Sequence, residues 1–507
     1  MGIHYPSSVN ILQANKFTNM LVHFSAIIFS LALVAPCFAA PTSRQTQNET
    51  RNDAQHHEGK RDEPALIGIL EPWPLETENK ILEEATPVPF QPRRKLGLFP
   101  APPTEAGPPP DGGMLAWLQV LAGHLMCFVT WGLITSFGIF QSTYQDMLQA
   151  APSTVSWIGT VQIFTLLLVG ALSGRASDAG LVHEAVLVGT VLIVFGLFMT
   201  SLATQYYQVF LAQGVCIGLG MGILYMPGLS VPSSYFKAKK SLAVAIIASG
   251  AGSGGLVYPA MVQQLLPRVG FGWTIRSMAF VTLFVSVLIN LLLRVRVPAR
   301  TSGPLFDFRA FKELSYIFFC VGFFLVYWAV YFAFYYIDLY GYTYASFTSL
   351  DSINLLLITN ALGIPGRVLP GFIAARFLGP LNTAIPTAAS VALVLYCWPA
   401  VRHTHGSLYG FALAYGFVAS AIQSLFAVSL AALTDDLSQL GTRMGMVFSL
   451  VAFASLTGSP IAGAIVQASG GNYLPAQMWA ASSMLLGAVA LAAARLSRTG
   501  WVVKVQV

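Results

Sequence analysis

From Met114 onward the chain repeats one pattern about a dozen times: a long apolar run, then a short polar link. A helix needs about 20 apolar residues to cross the hydrocarbon core of a bilayer. The first six runs fall at about 115–140, 154–173, 184–203, 206–230, 241–266 and 273–293. A longer polar link follows. Six more runs then fall at about 314–339, 352–374, 382–400, 407–432, 443–468 and 476–495. The expected fold is all-α: a polytopic membrane protein with 12 transmembrane helices in two six-helix halves around a cavity.

The composition demands a lipid environment. Only 9% of the residues are charged and 55% are hydrophobic, whereas a soluble chain carries roughly 25% charged residues. So few charges cannot cover a water-facing surface of this size. The net charge of +6 is modest and argues against nucleic acid as a partner. The five cysteines, Cys37, Cys127, Cys216, Cys320 and Cys397, sit almost wholly in apolar stretches. They read as small buried residues, not as a disulfide framework or a metal site.

The positions of the basic residues set the orientation. If the segment before helix one is cytoplasmic, that side holds Arg175, Lys237, Lys239, Lys240, Arg294, Arg296, Arg300, Arg309, Lys312, Arg376, Arg443, Arg495, Arg498 and Lys504. The other side holds Arg268 and Arg402, with Arg276 just inside helix six. Both ends of the helical region are then expected in the cytoplasm. The domain reading is a tail at 1–113, a first half at 114–293, a cytoplasmic linker at 294–313, a second half at 314–497 and a C-terminal tail at 498–507.

The first 113 residues stand apart. Residues 42–110 are rich in Pro, Glu, Gln, Asn and Arg, without periodicity, and read as disordered. Residues 21–40 are apolar and end in Cys37-Phe38-Ala39-Ala40, like a signal-peptide core. A cleaved signal would reverse every basic link. Three readings stay open: a non-native extension, a peripheral or extra helix, or a signal that overrides the charge bias. The sequon at Asn48 is glycosylated only if the tail is lumenal.

Several links carry distinctive residues. Pro110-Asp111-Gly112-Gly113-Met114-Leu115-Ala116-Trp117 opens helix one, reading as a helix cap plus an interface aromatic. Gly174-Arg175-Ala176-Ser177-Asp178-Ala179-Gly180 follows helix two, where a charged pair in a tight turn can latch neighbouring helices. The plain alternative is a solvated turn. Tyr235-Phe236-Lys237-Ala238-Lys239-Lys240-Ser241-Leu242-Ala243 precedes helix five, whose Gly250, Gly252, Gly254 and Gly255 let helices approach closely. Gly254, Gly255 and Pro259 could also mark a bend beside the cavity.

With the helix-eight stretch from Asn360 through Gly366-Arg367 to Gly371, and with Gly441-Thr442-Arg443-Met444-Gly445, these pieces resemble the major facilitator superfamily. Within it they are similar to the monocarboxylate porter family, especially its fungal branch. The resemblance covers about residues 110–497. It implies alternating access by two helical halves and a small organic cargo, such as a monocarboxylate, carried by a secondary active or facilitative transporter. Export of a fungal secondary metabolite is the alternative within that class.

The departures concern coupling. Animal lactate-type members carry a Lys where this chain has Thr135, and an Asp where it has Gly363. The fungal branch usually has an Asp where this chain has Ala375. Proton-antiporting drug exporters carry an Arg where Phe210 stands, and a helix-five Gly-Pro motif that is absent here. Proton coupling is therefore left open.

Ionisable groups inside a bilayer are expensive and mark function. Arg367 is the leading candidate, placed to hold a carboxylate or carbonyl oxygen. The alternative is a structural pairing with Asp338 or Asp351. Asn360 lies seven residues earlier on the same face. His124 could bind cargo or carry a proton, or tie two helices together. Tyr327, Tyr331 and Tyr335 share a face of helix seven and either line a cavity or pack. Gln423, and more weakly Gln162, complete the polar set. The expected conformational latch comprises Gly174, Arg175, Asp178, Lys237 and Arg376.

No His, Asp, Glu or Cys cluster at helical spacing suggests an enzyme, no cofactor or metal is expected, and no phosphate-cradling loop is present. A carrier-derived ligand sensor without flux is the competing class. The expected location is the plasma membrane, with the vacuolar membrane as alternative, and the expected partners are a small organic substrate and the bilayer. The oligomeric state is not legible.

Overall fold

The computed structural model describes residues 108–500, apart from 238, 299–306, 346, 402–403 and 435–439. The apolar stretch at 21–40, the sequon at Asn48, and Arg300, Arg402 and Lys504 lie outside the described residues. Within them the chain is helical. α1 spans Gly113–Thr135 and continues past Ser136 as Phe137–Leu148. α2 is Pro152–Asp178, α3 Val182–Thr200 and α4 Tyr206–Ser233. One unbroken helical assignment, Lys240–Leu292, holds two spans. Gly270 interrupts it with φ 74° and ψ 173°, a conformation that glycine adopts without a Cβ clash. It divides α5 (240–269) from α6 (271–292). The second half comprises α7 Leu314–Tyr344, α8 Ser349–Ile373, α9 Pro380–Cys397, α10 His405–Leu433, α11 Leu440–Ala468 and α12 Leu474–Thr499. Twelve spans in two sixes agree with the expectation.

Local chemistry sets several boundaries. Pro152 and Pro380 sit in the first turns of α2 and α9, where a missing N–H costs nothing. The Thr404 hydroxyl accepts from the Ser407 amide at the start of α10, a standard N-cap. Asp111 departs from its expected role. It does not cap α1. Its carboxylate accepts from the Lys237 amide, and its own amide donates to Tyr235 O at 3.1 Å. The acid pins the α4–α5 link to the foot of α1. Tyr235 in that link donates to Arg294 O at 2.9 Å. Burial pushes the Tyr235 hydroxyl above its ordinary value, while Arg296 and Arg294 pull the other way.

The packing repeats between halves. α1 packs on α5, α2 on α4, and α3 on α4 and α6. Likewise α7 packs on α11, α8 on α10, and α9 on α10 and α12. Of the most apolar window of α1, 89% is buried, against 33% for α9. The first helix of the bundle is therefore central and the ninth peripheral. Outward faces carry Phe195, Phe284, Leu393, Leu486 and Val489, all exposed, as lipid contact requires.

The halves meet where α2 packs on α11 and α5 on α8. Glycine makes the α1–α5–α8 approach possible. A Cβ on Gly254 would lie 2.8 Å from the Gly132 Cα of α1. One on Gly252 would lie 2.6 Å from Ile364 of α8. The Gly/Ser run thus serves close packing, with no departure from helical dihedrals at Gly254, Gly255 or Pro259. We call the end bearing the basic links the inner end and the opposite one the outer end, following the bias of Lys and Arg to cytoplasmic links.

Candidate functional site

Arg367 is 3% exposed in the inner third of α8. Its Nη1 donates to Gly363 O at 3.1 Å and to Ser420 Oγ of α10 at 2.9 Å, and its Nη2 reaches Gln423 Oε1 at 3.5 Å. These partners are neutral, and among the described residues no carboxylate pairs with it. Asp338, the partner considered from sequence, is held elsewhere by two serines. Gly363 explains the geometry: a Cβ there would meet Nη1 at 2.8 Å and Ser420 Oγ at 2.7 Å. The absence of a side chain lets the guanidinium fold back along its own helix. Thr135, the other departure, spends its hydroxyl on Gly132 O at 3.2 Å.

Two tyrosines near the guanidinium belong to a longer series of rings. The guanidinium charge acts on Tyr327 and Tyr331 of α7 and on Cys127 of α1. Ring contacts link five helices: Trp131 of α1 to Tyr225 of α4 at 5.6 Å, Tyr225 to Phe448 of α11 at 6.1 Å, and Phe448 to Phe426 of α10 at 5.2 Å. Phe426 then lies 5.4 Å from Tyr327, and Tyr327 lies 6.1 Å from Tyr331. The chain of rings crosses from one half to the other. Of these residues only Tyr327 and Tyr331 were singled out from sequence. Trp131, Tyr225, Phe426, Phe448 and Ser420 were missed, because an aromatic or a serine in an apolar run gives no local signal.

Polar atoms without partners mark the same region. Tyr331 Oη, Tyr335 Oη, Asn360 Oδ1 and Gln423 Nε2 are buried, and among the described residues none has a hydrogen-bond partner. An unsatisfied buried group costs about 1–3 kcal/mol, so such a group usually serves something. Asn360 Nδ2 crosses to the first half, donating to Thr135 O at 3.3 Å.

The other residues separate from this group. His124 has both ring nitrogens engaged by α5: Nδ1 with Ile246 O and Nε2 with Ser253 Oγ, each at 2.9 Å. Gln162 Nε2 lies 3.4 Å from Met221 Sδ, inside the first half. Of the residues expected to form a latch, Gly174 is placed so that a Cβ on it would lie 3.9 Å from Met226, Arg175 and Asp178 sit in the last turn of α2, and Lys237 and Arg376 are exposed at the inner end. A cleft enclosing about 430 Å³, open solvent included, runs from Arg367 past Val244, Ala248, Gly371, Ser424 and Val428. It follows the α5–α8 seam and α10 toward the inner end.

At the outer end the halves are bonded. Ser142 of the α1 extension donates to Asp338 of α7 at 2.8 Å, Ser153 of α2 to Pro460 O of α11 at 3.2 Å, and Gln263 of α5 to Asn354 of α8 at 3.1 Å. Ser156 and Tyr336 share a hydrogen bond at 2.6 Å.

The profile of the Major Facilitator Superfamily matches residues 120–427. The chain belongs to the major facilitator superfamily. An MFS-type transporter of Gibberella zeae is 43% identical over 397 residues, covering 78% of this chain and 89% of the relative. The MFS-type transporter opdF of Penicillium oxalicum is 35% identical over 412 residues, covering 79% and 94%. The Aspyridones efflux protein apdF of Emericella nidulans is 32% identical over 395 residues, covering 77% and 80%. This member of the superfamily is thus a multi-pass membrane transporter of a small organic molecule. Arg367 lies beside the seam between its two halves, at the head of a cleft that runs toward the inner end.

Proposed function

We propose that this carrier exports a planar, oxygen-rich organic acid, and that its cargo's anionic or carbonyl oxygen sits on Arg367. The observation that carries the reading is a buried guanidinium with only neutral partners. A buried charge without a counter-ion is costly, and an anionic cargo completes it with a forked, charge-assisted hydrogen bond. Tyr225 and Trp131 on one half and Tyr327 and Phe426 on the other supply ring faces for a flat skeleton. Tyr331, Asn360 and Gln423 offer hydroxyl and amide groups to its remaining oxygens. His124, tied to α5 by both nitrogens, clamps helices in this reading.

The cleft toward the inner end and the bonded outer end fit loading from the cytoplasm. The efflux named for the Emericella nidulans relative fits the same direction. On this proposal the chain is a member of the monocarboxylate porter branch, a reading its link motifs support, and works in the plasma membrane. The α2–α3 turn with Gly174, Arg175 and Asp178, together with Lys237 and Arg376, is proposed to latch the inner end when it closes.

The test is flux from proteoliposomes loaded with matched pairs of planar acids and their neutral methyl esters. Acids are expected to move and esters to lag by about tenfold to a hundredfold, one lost charge-assisted contact being worth about 1.5–3 kcal/mol. Equal flux of acid and ester, or full flux in Arg367→Ala, overturns the reading.

A further inference from the structure

Asp338 is the buried acidic side chain among the described residues, 3% exposed near the outer end of α7. Its two oxygens are held from different sides of the molecule. Ser142 of the α1 extension, in the first half, donates to Oδ2 at 2.8 Å. Ser352 of α8, in the second half, donates to Oδ1. Among the described residues no Lys, Arg or His lies within ion-pair distance. The surrounding elements bring acids, phenols and one histidine to this end, His405 of α10 sharing a hydrogen bond with Ala345 O at 2.9 Å, while Arg367 lies at the far end of α8. α7 itself carries Tyr335, Tyr336 and Tyr340, the α1 extension carries Tyr144 and the exposed Asp146, Asp351 precedes Ser352 on α8, and Tyr473 stands at the head of α12. Tyr144 is engaged elsewhere, with Gln213.

The hydrogen bonds suit both protonation states. With Asp338 ionised, the Ser142 hydroxyl donates to it. With Asp338 protonated, the acid donates to Ser142 Oγ, and the serine hydrogen has a second acceptor ready, Ile139 O at 3.1 Å. A hydroxyl is donor and acceptor at once and rotates between the two. The closed outer gate can therefore hold the proton without orphaning a polar atom. Opening that gate pulls the first half, and Ser142 with it, away from α7 and lets water reach the carboxylate. A carboxylate is far better tolerated in water than in a membrane interior.

We propose that Asp338 is a proton-operated latch on the outer gate: the protonated side chain holds the gate shut, and loss of the proton to outer water accompanies opening. The sign follows by linkage. A proton that binds the closed state more tightly favours closure as external pH falls. The inference concerns the gate and does not depend on which cargo is carried, so acid-versus-ester flux and gate labelling fail independently.

The test uses the full chain in proteoliposomes with Cys397, the exposed cysteine among the described residues, and Cys37 replaced by Ser. Ser153→Cys at the outer seam is labelled by a membrane-impermeant maleimide, with rates normalised to a free thiol at each pH. Labelling is expected to rise by about fivefold to tenfold between about pH 5 and pH 7, inside the limit of about tenfold per pH unit for one coupled proton. Asp338→Asn, a permanent analogue of the protonated acid, is expected to give low labelling at every pH. Asp351→Asn is expected to keep the response. Ser142→Ala leaves the carboxylate and deletes the switching hydroxyl, so it provides a reading even if Asp338→Asn does not fold, and a response flattened by at least about half is expected. A full pH response in Asp338→Asn or in Ser142→Ala, or its loss in Asp351→Asn, overturns the proposal.

Discussion

At the inner end of the seam, small apolar groups of the two halves meet among the described residues. A Cβ on Gly445 of α11 would lie 3.7 Å from that of Ala171 of α2, and one on Gly371 of α8 would lie 3.6 Å from that of Ala245 of α5. At the outer end they share directional bonds: Ser142 with Asp338, Ser156 with Tyr336, Ser153 with Pro460 O. Dispersion contacts between small groups are individually weak and slide at little cost. A hydrogen bond between buried groups has a defined geometry, and breaking it exposes both partners to a penalty. Among the described residues, then, the outer contacts are directional and these inner ones are not, a contrast that suits a rocking carrier. Between them sits Arg367, connected to the inner cleft.

The largest effect is expected at the centre, where neither kind of contact completes the site. Arg367→Ala removes the buried guanidinium near Tyr327 and Tyr331. Loss of a charge-assisted bond to cargo costs about 1.5–3 kcal/mol, so flux falls by roughly tenfold to 140-fold. Arg367→Lys keeps the charge without the fork and recovers only part of it. Flux measured at matched amounts of folded protein decides this, and a lysine variant as fast as the parent would show that the fork is not used.

The outer contacts are tested next. Tyr336 hydrogen-bonds Ser156 across the seam and also reaches Ser459 O at 3.4 Å. Tyr336→Phe deletes both while keeping the ring, at a cost of about 1–2 kcal/mol to the closed outer end. Labelling of an outer-seam cysteine is expected to rise about fivefold to tenfold. If the outer end stays as closed as before, the hydrogen bonds there are incidental and ring packing does the locking.

A smaller and opposite pair of shifts is expected from Tyr331→Phe. The Tyr331 hydroxyl is buried with no partner among the described residues, so deleting it relieves a desolvation penalty of about 1 kcal/mol or more. Melting should rise by about 1–3 °C while flux falls several-fold. Stability and transport moving in opposite directions identify a polar atom kept for the cargo. Both falling together would make Tyr331 a packing residue.

The contrast between the ends also explains what could be read in advance. The helices and their basic ends were legible because hydropathy and charge are local properties of a segment. Arg367 and Asn360 stood out because polar groups in an apolar run are costly wherever they point. Trp131, Tyr225, Phe426 and Phe448 were invisible, since rings in an apolar run cost nothing and acquire meaning only when five helices bring them together. The outer contacts were hidden for a different reason. Ser142 is 196 residues from Asp338 in the chain, and Ser352 belongs to another helix. Asp111 shows the same limit. An acid ahead of a helix satisfies the local rule for a cap, yet it bonds an amide 126 residues away.

The smallest effect should come from the inner end. Gly371→Ala adds a methyl where the nearest foreign atom is 3.6 Å away, an ordinary van der Waals contact. Alanine also loses less backbone entropy on folding, a gain of about 0.5–1 kcal/mol in a helix interior. Melting should therefore hold or rise slightly, with flux within about twofold of the parent, since no bond is made or broken as the seam slides. A flux loss on the scale of Arg367→Ala would mean that α5 and α8 close far more tightly during the cycle than they do here. The inner end would then lock by shape as firmly as the outer end locks by hydrogen bonds.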